Sequence, residues 1–214
     1  MPITLRPGKT VYILVNGILT FPGESDNWNG KGVTWIHLNT PHKAEKIEYF
    51  VGPISRVLGQ KERSRKLIKT LTYYQGWDIV LVGHSNGCDV ILDALAEMGC
   101  PRIEALHLIS AACEADFDKN GLNFSVCFGW VGLVRVYVAG KDWALKLADT
   151  VTGKVLGYGS LGKSGPVNLG KATPVETVTE PEFGHSDWFH DDHFAETMRL
   201  LTDSGPLQTQ GEQI

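Results

Sequence analysis

Runs of aliphatic and β-branched residues recur along the chain, separated by stretches whose apolar positions fall at helical spacing. The first run, residues 9–15 (KTVYILV), predicts a buried strand ending at Asn16-Gly17-Ile18. Residues 19–32 are rich in Gly, Asn and Asp and predict a loop with at most a short helix. A second strand is predicted over residues 33–38 (VTWIHL), and helices over residues 43–50 and 60–74. Ile79, Val80, Leu81 and Val82 then form an apolar run that predicts a strand. After a turn, Val90, Ile91, Leu92, Ala94 and Leu95, interleaved with Asp89, Asp93 and Glu97, predict an amphipathic helix. Further strands are expected over residues 103–110, 133–139 and 175–179, and helices over residues 143–148 and 190–201. An irregular or partly helical crossover (residues 111–131) and a glycine-rich excursion (residues 152–173) lie between them. Strands alternating with helices predict a three-layer α/β/α sandwich around a mainly parallel sheet, with a ligand crevice at the carboxyl ends of the strands. A length of 214 residues fits one domain, here residues 1–203, followed by a polar tail over residues 204–214 in which fraying is expected.

Composition narrows the partners. At 43% hydrophobic and 21% charged the chain can build an ordinary core, and its net charge of −4 offers no footprint for nucleic acid or an anionic membrane. No apolar run approaches the roughly 18 residues of a membrane span. The apolar stretch at residues 11–21 is broken by Asn16 and Gly17 and lacks a small-residue cleavage site. It therefore reads as a first strand rather than a leader, and the expected location is cytoplasmic. Cys88, Cys100, Cys113 and Cys127 include no CxxC pair, and reduced thiols are the expectation.

The stretch richest in chemistry is Gly83-His84-Ser85-Asn86-Gly87, set between a predicted strand and a predicted helix. A strand-to-helix turn this tight needs residues without side chains two places either side of its apex, because a Cβ there would strike the neighbouring strand or helix. Ser85 is thereby held out at the carboxyl end of its strand, with the Asn86 N–H and the helix N-terminus aimed at the same spot. An ordinary Gly/Ser-rich turn in another α/β protein has the same letters. With strand and helix both in place, the pattern resembles the nucleophile elbow of α/β-hydrolase fold serine hydrolases, esterase- and lipase-like, here with a minimal cap.

The resemblance implies a nucleophilic serine, an acid and a histidine in that order along the chain, each just after a strand. A serine hydroxyl is a poor nucleophile near neutral pH; it needs a base to take its proton and a third group to orient that base. Ser85, Asp142 and His185 fill those places: Asp142 follows the strand at residues 133–139, and His185 lies in EFGHSD between the last strand and the last helix. Asp142 also suits the N-cap of the helix opening at Trp143, and Asp116 and Glu114 are rival acids. Of the other histidines, His37 and His107 fall inside predicted strands and His84 is the elbow's variable position. His42, His190 and His193 lie on predicted loop or helix surfaces. The oxyanion hole is expected from the Asn86 N–H and a second amide at Gly17 or Ile18. Many relatives carry His-Gly in that loop, where this chain has Asn16-Gly17.

Two other patterns compete. Residues 157–164 satisfy the phosphate-loop formula GxxxxGK[ST], but Gly165-Pro166-Val167-Asn168-Leu169-Gly170 does not form the helix such a loop must open. His185, Asp187, His190, Asp191, Asp192 and His193 look like a metal nest, yet carboxylates at a helix start are equally what its dipole favours, and no HExxH spacing appears. Neither a metal nor a cofactor is expected. The short crossover leaves room for only a small cap, which suits small or surface-presented acyl groups. Phe117, Phe124, Tyr158 and Trp188 are candidate walls of an acyl pocket, although crossover aromatics serve equally as core plugs; Trp28 and Trp35 fit either role. The expected activity is hydrolysis of a small-molecule carboxylic ester through an acyl-enzyme. Thioester hydrolysis and acyl transfer use the same constellation, and a ligand-binding protein on this fold with weak or no turnover is the alternative from another class.

Overall fold

The computed structural model describes residues 5–17, 27–49, 59–97, 101–123, 130–146, 159–170 and 174–203. Six strands are formed: β1 (Thr10–Val15), β2 (Lys43–Ile47), β3 (Asp78–His84), β4 (Ile103–Ile109), β5 (Val131–Ala139) and β6 (Val175–Glu180). They make one sheet in the order β2-β1-β3-β4-β5-β6, with every neighbouring pair parallel. The helices are α1 (Trp28–Asn39), α2 (Gln60–Tyr73), α3 (Asn86–Ala96), α4 (Trp143–Lys146), α5 (Leu161–Ser164) and α6 (Asp191–Thr202), with a 3-10 turn at Asp187–Phe189.

Side chains alternate across each strand, so the sheet has two apolar faces. On one, Val11, Ile13 and Leu81 meet Leu67 and Leu71 of α2 and Val90 and Ile91 of α3. On the other, Tyr12, Leu14 and Val80 meet Ile36 of α1 and Met198 and Leu201 of α6. The result is the three-layer sandwich that the alternation of patterns predicts. β1 and β3 are buried along their whole length, which is why they read as unbroken apolar runs. Fully buried Arg135 on β5 pairs with Glu176 of β6 at 2.7 Å and donates to the Leu200 and Asp203 carbonyls at 2.7 and 3.2 Å, tying the end of α6 to the sheet. Among the described residues no helix is long and apolar enough to cross a membrane.

Two adjacent elements differ in type from their sequence patterns. Residues 33–38, expected as a strand, belong to α1, which begins inside the expected loop; residues 43–47, expected as helix, are strand β2. Trp28, Gly32 and Ile36 recur every fourth residue and are buried, so α1 has one apolar stripe and leaves its β-formers on the flanks. In β2, Ala44 and Ile47 are the buried positions, and the charged residues between them suit the edge of a sheet.

The sheet order places the site. From β1 the chain moves outward to β2 and then returns past β1 to β3 on its other side. In open α/β sheets the crevice lies where the order reverses, at the carboxyl ends of the strands. Asn16-Gly17 and Ser85 stand at those ends of β1 and β3.

Candidate active site

β3 ends at His84 and α3 begins at Asn86, so one residue makes the whole turn. Ser85 has φ 55° and ψ −122°, a conformation costing a non-glycine residue on the order of 1–3 kcal/mol. Its neighbours hold it there. The Ser85 N–H donates to the Ile109 carbonyl at 3.0 Å, and its own carbonyl accepts from Cys88 and Ala112 at 3.2 and 3.3 Å. A Cβ on Gly87 would strike the Val15 and Asn16 carbonyls, and one on Gly83 would stand 2.9 Å from Ile91 Cδ1.

Asp142, fully buried, opens α4 just past the end of β5. Its Oδ1 accepts the Leu145 N–H at 2.9 Å, and its Oδ2 lies 2.7 Å from His185 Nδ1. Helix capping and contact with the histidine, alternatives in the sequence, are thus shared between two oxygens of one carboxylate. Because a carboxylate only accepts, Nδ1 carries the proton; in the neutral ring Nε2 then keeps a lone pair, the tautomer a base requires. The two loops are joined by Gly140 N–H to Glu180 O at 3.0 Å and Lys141 N–H to Phe183 O at 2.9 Å, and Lys141 pairs with Glu182. Asp187 accepts the Gly184 N–H at 2.8 Å and so shapes the turn that carries His185. Among the described residues, no hydrogen bond joins the Ser85 hydroxyl to His185; contacts of this kind often tighten only when substrate binds.

Gly17 lies against the elbow: a Cβ there would stand 3.0 Å from Ser85 Cβ and 3.3 Å from the His84 carbonyl oxygen. The preceding carbonyl, that of Asn16, accepts from Tyr49 Oη at 2.6 Å, and the Arg63 guanidinium sits 5.6 Å from the centre of the Tyr49 ring. Asn16 and Asn86 are fully buried. Ile18 lies outside the described residues.

The rival acids serve their own loop. Asp116 accepts the Asp118 and Lys119 N–H groups and the Asn168 amide, and Glu114 accepts the Asp116 N–H. Of the expected pocket walls, Phe124 and Tyr158 lie outside the described residues, and Phe117 is a fully buried core plug. Trp188, expected on a pocket wall, is a core side chain: the 3-10 turn folds it onto the sheet face, edge-on to Tyr137 at 5.4 Å and Phe183 at 4.9 Å. In the phosphate-loop pattern, Lys163 sits in the four-residue α5, which closes at Gly165 with φ 75°. Asp191 pairs with Lys31 at 3.1 Å, and His190 lies 3.6 Å from Asp192. Two residues to which the sequence pattern assigns no role reach the site. Tyr49 follows β2, so reading residues 43–47 as a strand would have placed it at the carboxyl rim; His84 sits 5.0 Å, ring to ring, from His185.

No curated protein matches the sequence. Among solved structures, the chain is similar to an uncharacterized protein from Bacillus cereus ATCC 10987 (TM-score 0.57, 13% identity), covering 94% of this chain and 62% of that one. It is also similar to the esterase domain of a Rhodothermus marinus protein (TM-score 0.53, 13% identity; 89% and 84% covered). Mouse alpha/beta hydrolase domain-containing protein 10 is a third such structure (TM-score 0.51, 12% identity; 94% and 90% covered). At these identities the likeness concerns the fold alone. A family model described as alpha/beta hydrolase of unknown function (DUF900) matches residues 27–203. With the greater part of its length inside that match, the chain belongs to the DUF900 family of alpha/beta hydrolases.

Proposed function

We propose that the protein is a serine hydrolase that cleaves carboxylic esters through an acyl-enzyme, with Ser85 as nucleophile, His185 as general base and acid, and Asp142 orienting the imidazole. The observation that carries this reading is the 2.7 Å bond from buried Asp142 to His185 Nδ1, at the same strand-end rim as the strained Ser85. His185 Nε2 takes the hydroxyl proton as Ser85 Oγ attacks the acyl carbon. The oxyanion forms toward the Asn86 amide and a second amide at Gly17 or Ile18. On collapse, the imidazolium gives its proton to the departing alcohol, and a water activated by His185 then releases the acid by the same steps in reverse. Every proton is handled by His185, so this chemistry calls for no cofactor. That a neighbour in fold is an esterase domain is in keeping with an ester substrate.

A fluorophosphonate should label the wild-type chain at Ser85, and Ser85→Ala should abolish the label. Hydrolysis of p-nitrophenyl acetate should fall by roughly 10⁴-fold or more in Ser85→Ala and in His185→Ala. A panel of p-nitrophenyl esters should show a preference for short chains. A wild-type chain that neither labels nor turns over, yet binds a small molecule tightly, would favour the ligand-binding alternative.

A further inference from the structure

His84 occupies the variable position of the elbow, and four parts of the site meet on its ring. Ser85 follows it in the chain. Gly17 faces its Nδ1, where a Cβ would stand 3.4 Å away. Its Nε2 lies 3.0 Å from the His185 carbonyl oxygen, and the two imidazoles are 5.0 Å apart between centroids. Trp28 and Phe189, stacked on each other at 4.2 Å, meet the His84 ring edge-on at 6.1 and 5.2 Å. The whole residue is 8% exposed. A carbonyl oxygen only accepts, so Nε2 carries the hydrogen; in the neutral ring Nδ1 then bears the lone pair.

We infer that His84 is a positioning residue for the catalytic histidine, its Nε2–H···O bond to the His185 carbonyl fixing the loop that presents the imidazole to Ser85. The inference rests on the serine-hydrolase reading and adds a residue to it. Among the described residues, His185 makes one side-chain bond to its acid and this one backbone bond to the elbow. The first sets the tilt of the ring; the second sets the distance between the loop and the nucleophile. Misplacement of a reacting group by about 1 Å can cost 10²-fold in rate. Burial first, and the neighbouring His185 second, hold His84 down to about 3, so it stays neutral while His185 takes up and returns a proton. Among the described residues, Asp187 stands on the same turn as His185, where it accepts the Gly184 N–H at 2.8 Å. Asp142 meets His185 from α4, whereas Trp28, Phe189 and the Gly17 backbone bring no charge to His84.

The test compares full-length wild type, His84→Phe and His84→Gln. Phenylalanine keeps the aromatic packing and removes the donor, whereas glutamine offers an Nε2–H near the same place. His84→Phe should lower kcat on p-nitrophenyl acetate and the rate of fluorophosphonate labelling by roughly 10–100-fold. KM and the burst amplitude per mole of protein should hardly change, and His84→Gln should recover most of the rate. A merely structural role would instead reduce the burst amplitude and leave the rate per active site intact. That result, an unchanged kcat in His84→Phe, or a glutamine variant as slow as the phenylalanine one would overturn the inference. Nitrogen NMR of wild type gives a readout independent of any variant's folding: His84 should show the Nε2–H tautomer without titrating between about pH 5 and 9. An Nδ1–H tautomer or a titrating ring would also overturn it. Absence of fluorophosphonate labelling in wild type overturns the serine-hydrolase reading instead, and so is told apart.

Discussion

Asp142 does two things with two oxygens, and that division allows them to be measured separately. Asn at this position keeps an Oδ1 for the Leu145 N–H. Its Nδ2 donates, however, so His185 Nδ1 would have to accept and Nε2 would carry the proton. Asp142→Asn should therefore lower kcat by about 10⁴-fold while the thermal midpoint stays near that of wild type; equal loss of stability and rate would argue for a structural carboxylate only. Tyr49 permits a similar separation. A peptide unit is planar and trans, so its carbonyl and the following N–H point opposite ways. Tyr49 Oη, by holding the Asn16 carbonyl, fixes the direction of the Gly17 N–H. Tyr49→Phe should cost about 1 kcal/mol of stability and weaken a boronic-acid transition-state analogue more than it raises KM. Ser85, Asp142 and His185 could be proposed from the sequence because each stands at the end of a recognisable strand in an order that the elbow implies. Tyr49 and His84 could not. Their places beside the candidate site come from contacts with residues 33 and 101 positions away in the chain, for which no local pattern exists.

Among elements, the sequence pattern misleads where local preference and tertiary packing disagree. Val33, Thr34, Trp35 and Ile36 favour extended structure taken alone. The i, i+4, i+8 spacing of Trp28, Gly32 and Ile36 is hidden by two glycines in the first turns, and it prevails only because Leu14 and Met198 wait on the other side. Conversely, β2 has little apolar surface of its own and is a strand because β1 offers it a ladder. α6 shows the same dependence at its far end, where fully buried Arg135 supplies donors to the last carbonyls. Arg135→Met would leave Glu176 without its partner and those carbonyls without a charged donor. The cost should be roughly 3–5 kcal/mol in urea unfolding, together with faster hydrogen exchange in the last turn of α6. A change below about 1 kcal/mol would mean that water takes over the guanidinium's role.

Over the whole molecule, the α/β layering was legible because β1 and β3, sandwiched on both faces, must be apolar throughout, and such runs stand out against any helix. The same burial encloses two histidines, of which only His107 falls inside a strand that the sequence predicts. His84 lies under the site; His107, bonded to Tyr137 Oη at 3.0 Å, lies within the sheet's core. Burial holds both at about 3, with His185 adding to the effect on His84 and Arg135 to that on His107. In the unfolded chain each takes up a proton near pH 6.5. Between that value and about 3 the unfolded state binds more protons than the folded one, so stability rises with pH across the window and is fully present only above it. At pH 5 the two rings together should withdraw about 4 kcal/mol, a large share of the roughly 5–15 kcal/mol a domain has. The Asp78 carboxyl, held below its usual range chiefly by its hydrogen bond to Arg6, adds a loss of the same sign only at lower pH still. Urea unfolding should thus show stability level above pH 7 and falling steeply from 6.5 to 5. His107→Gln, which keeps a polar partner for Tyr137, should remove about half of that fall. A profile flat across this range would mean that both rings reach water, and with it the account of His84 as a neutral, enclosed strut would fail.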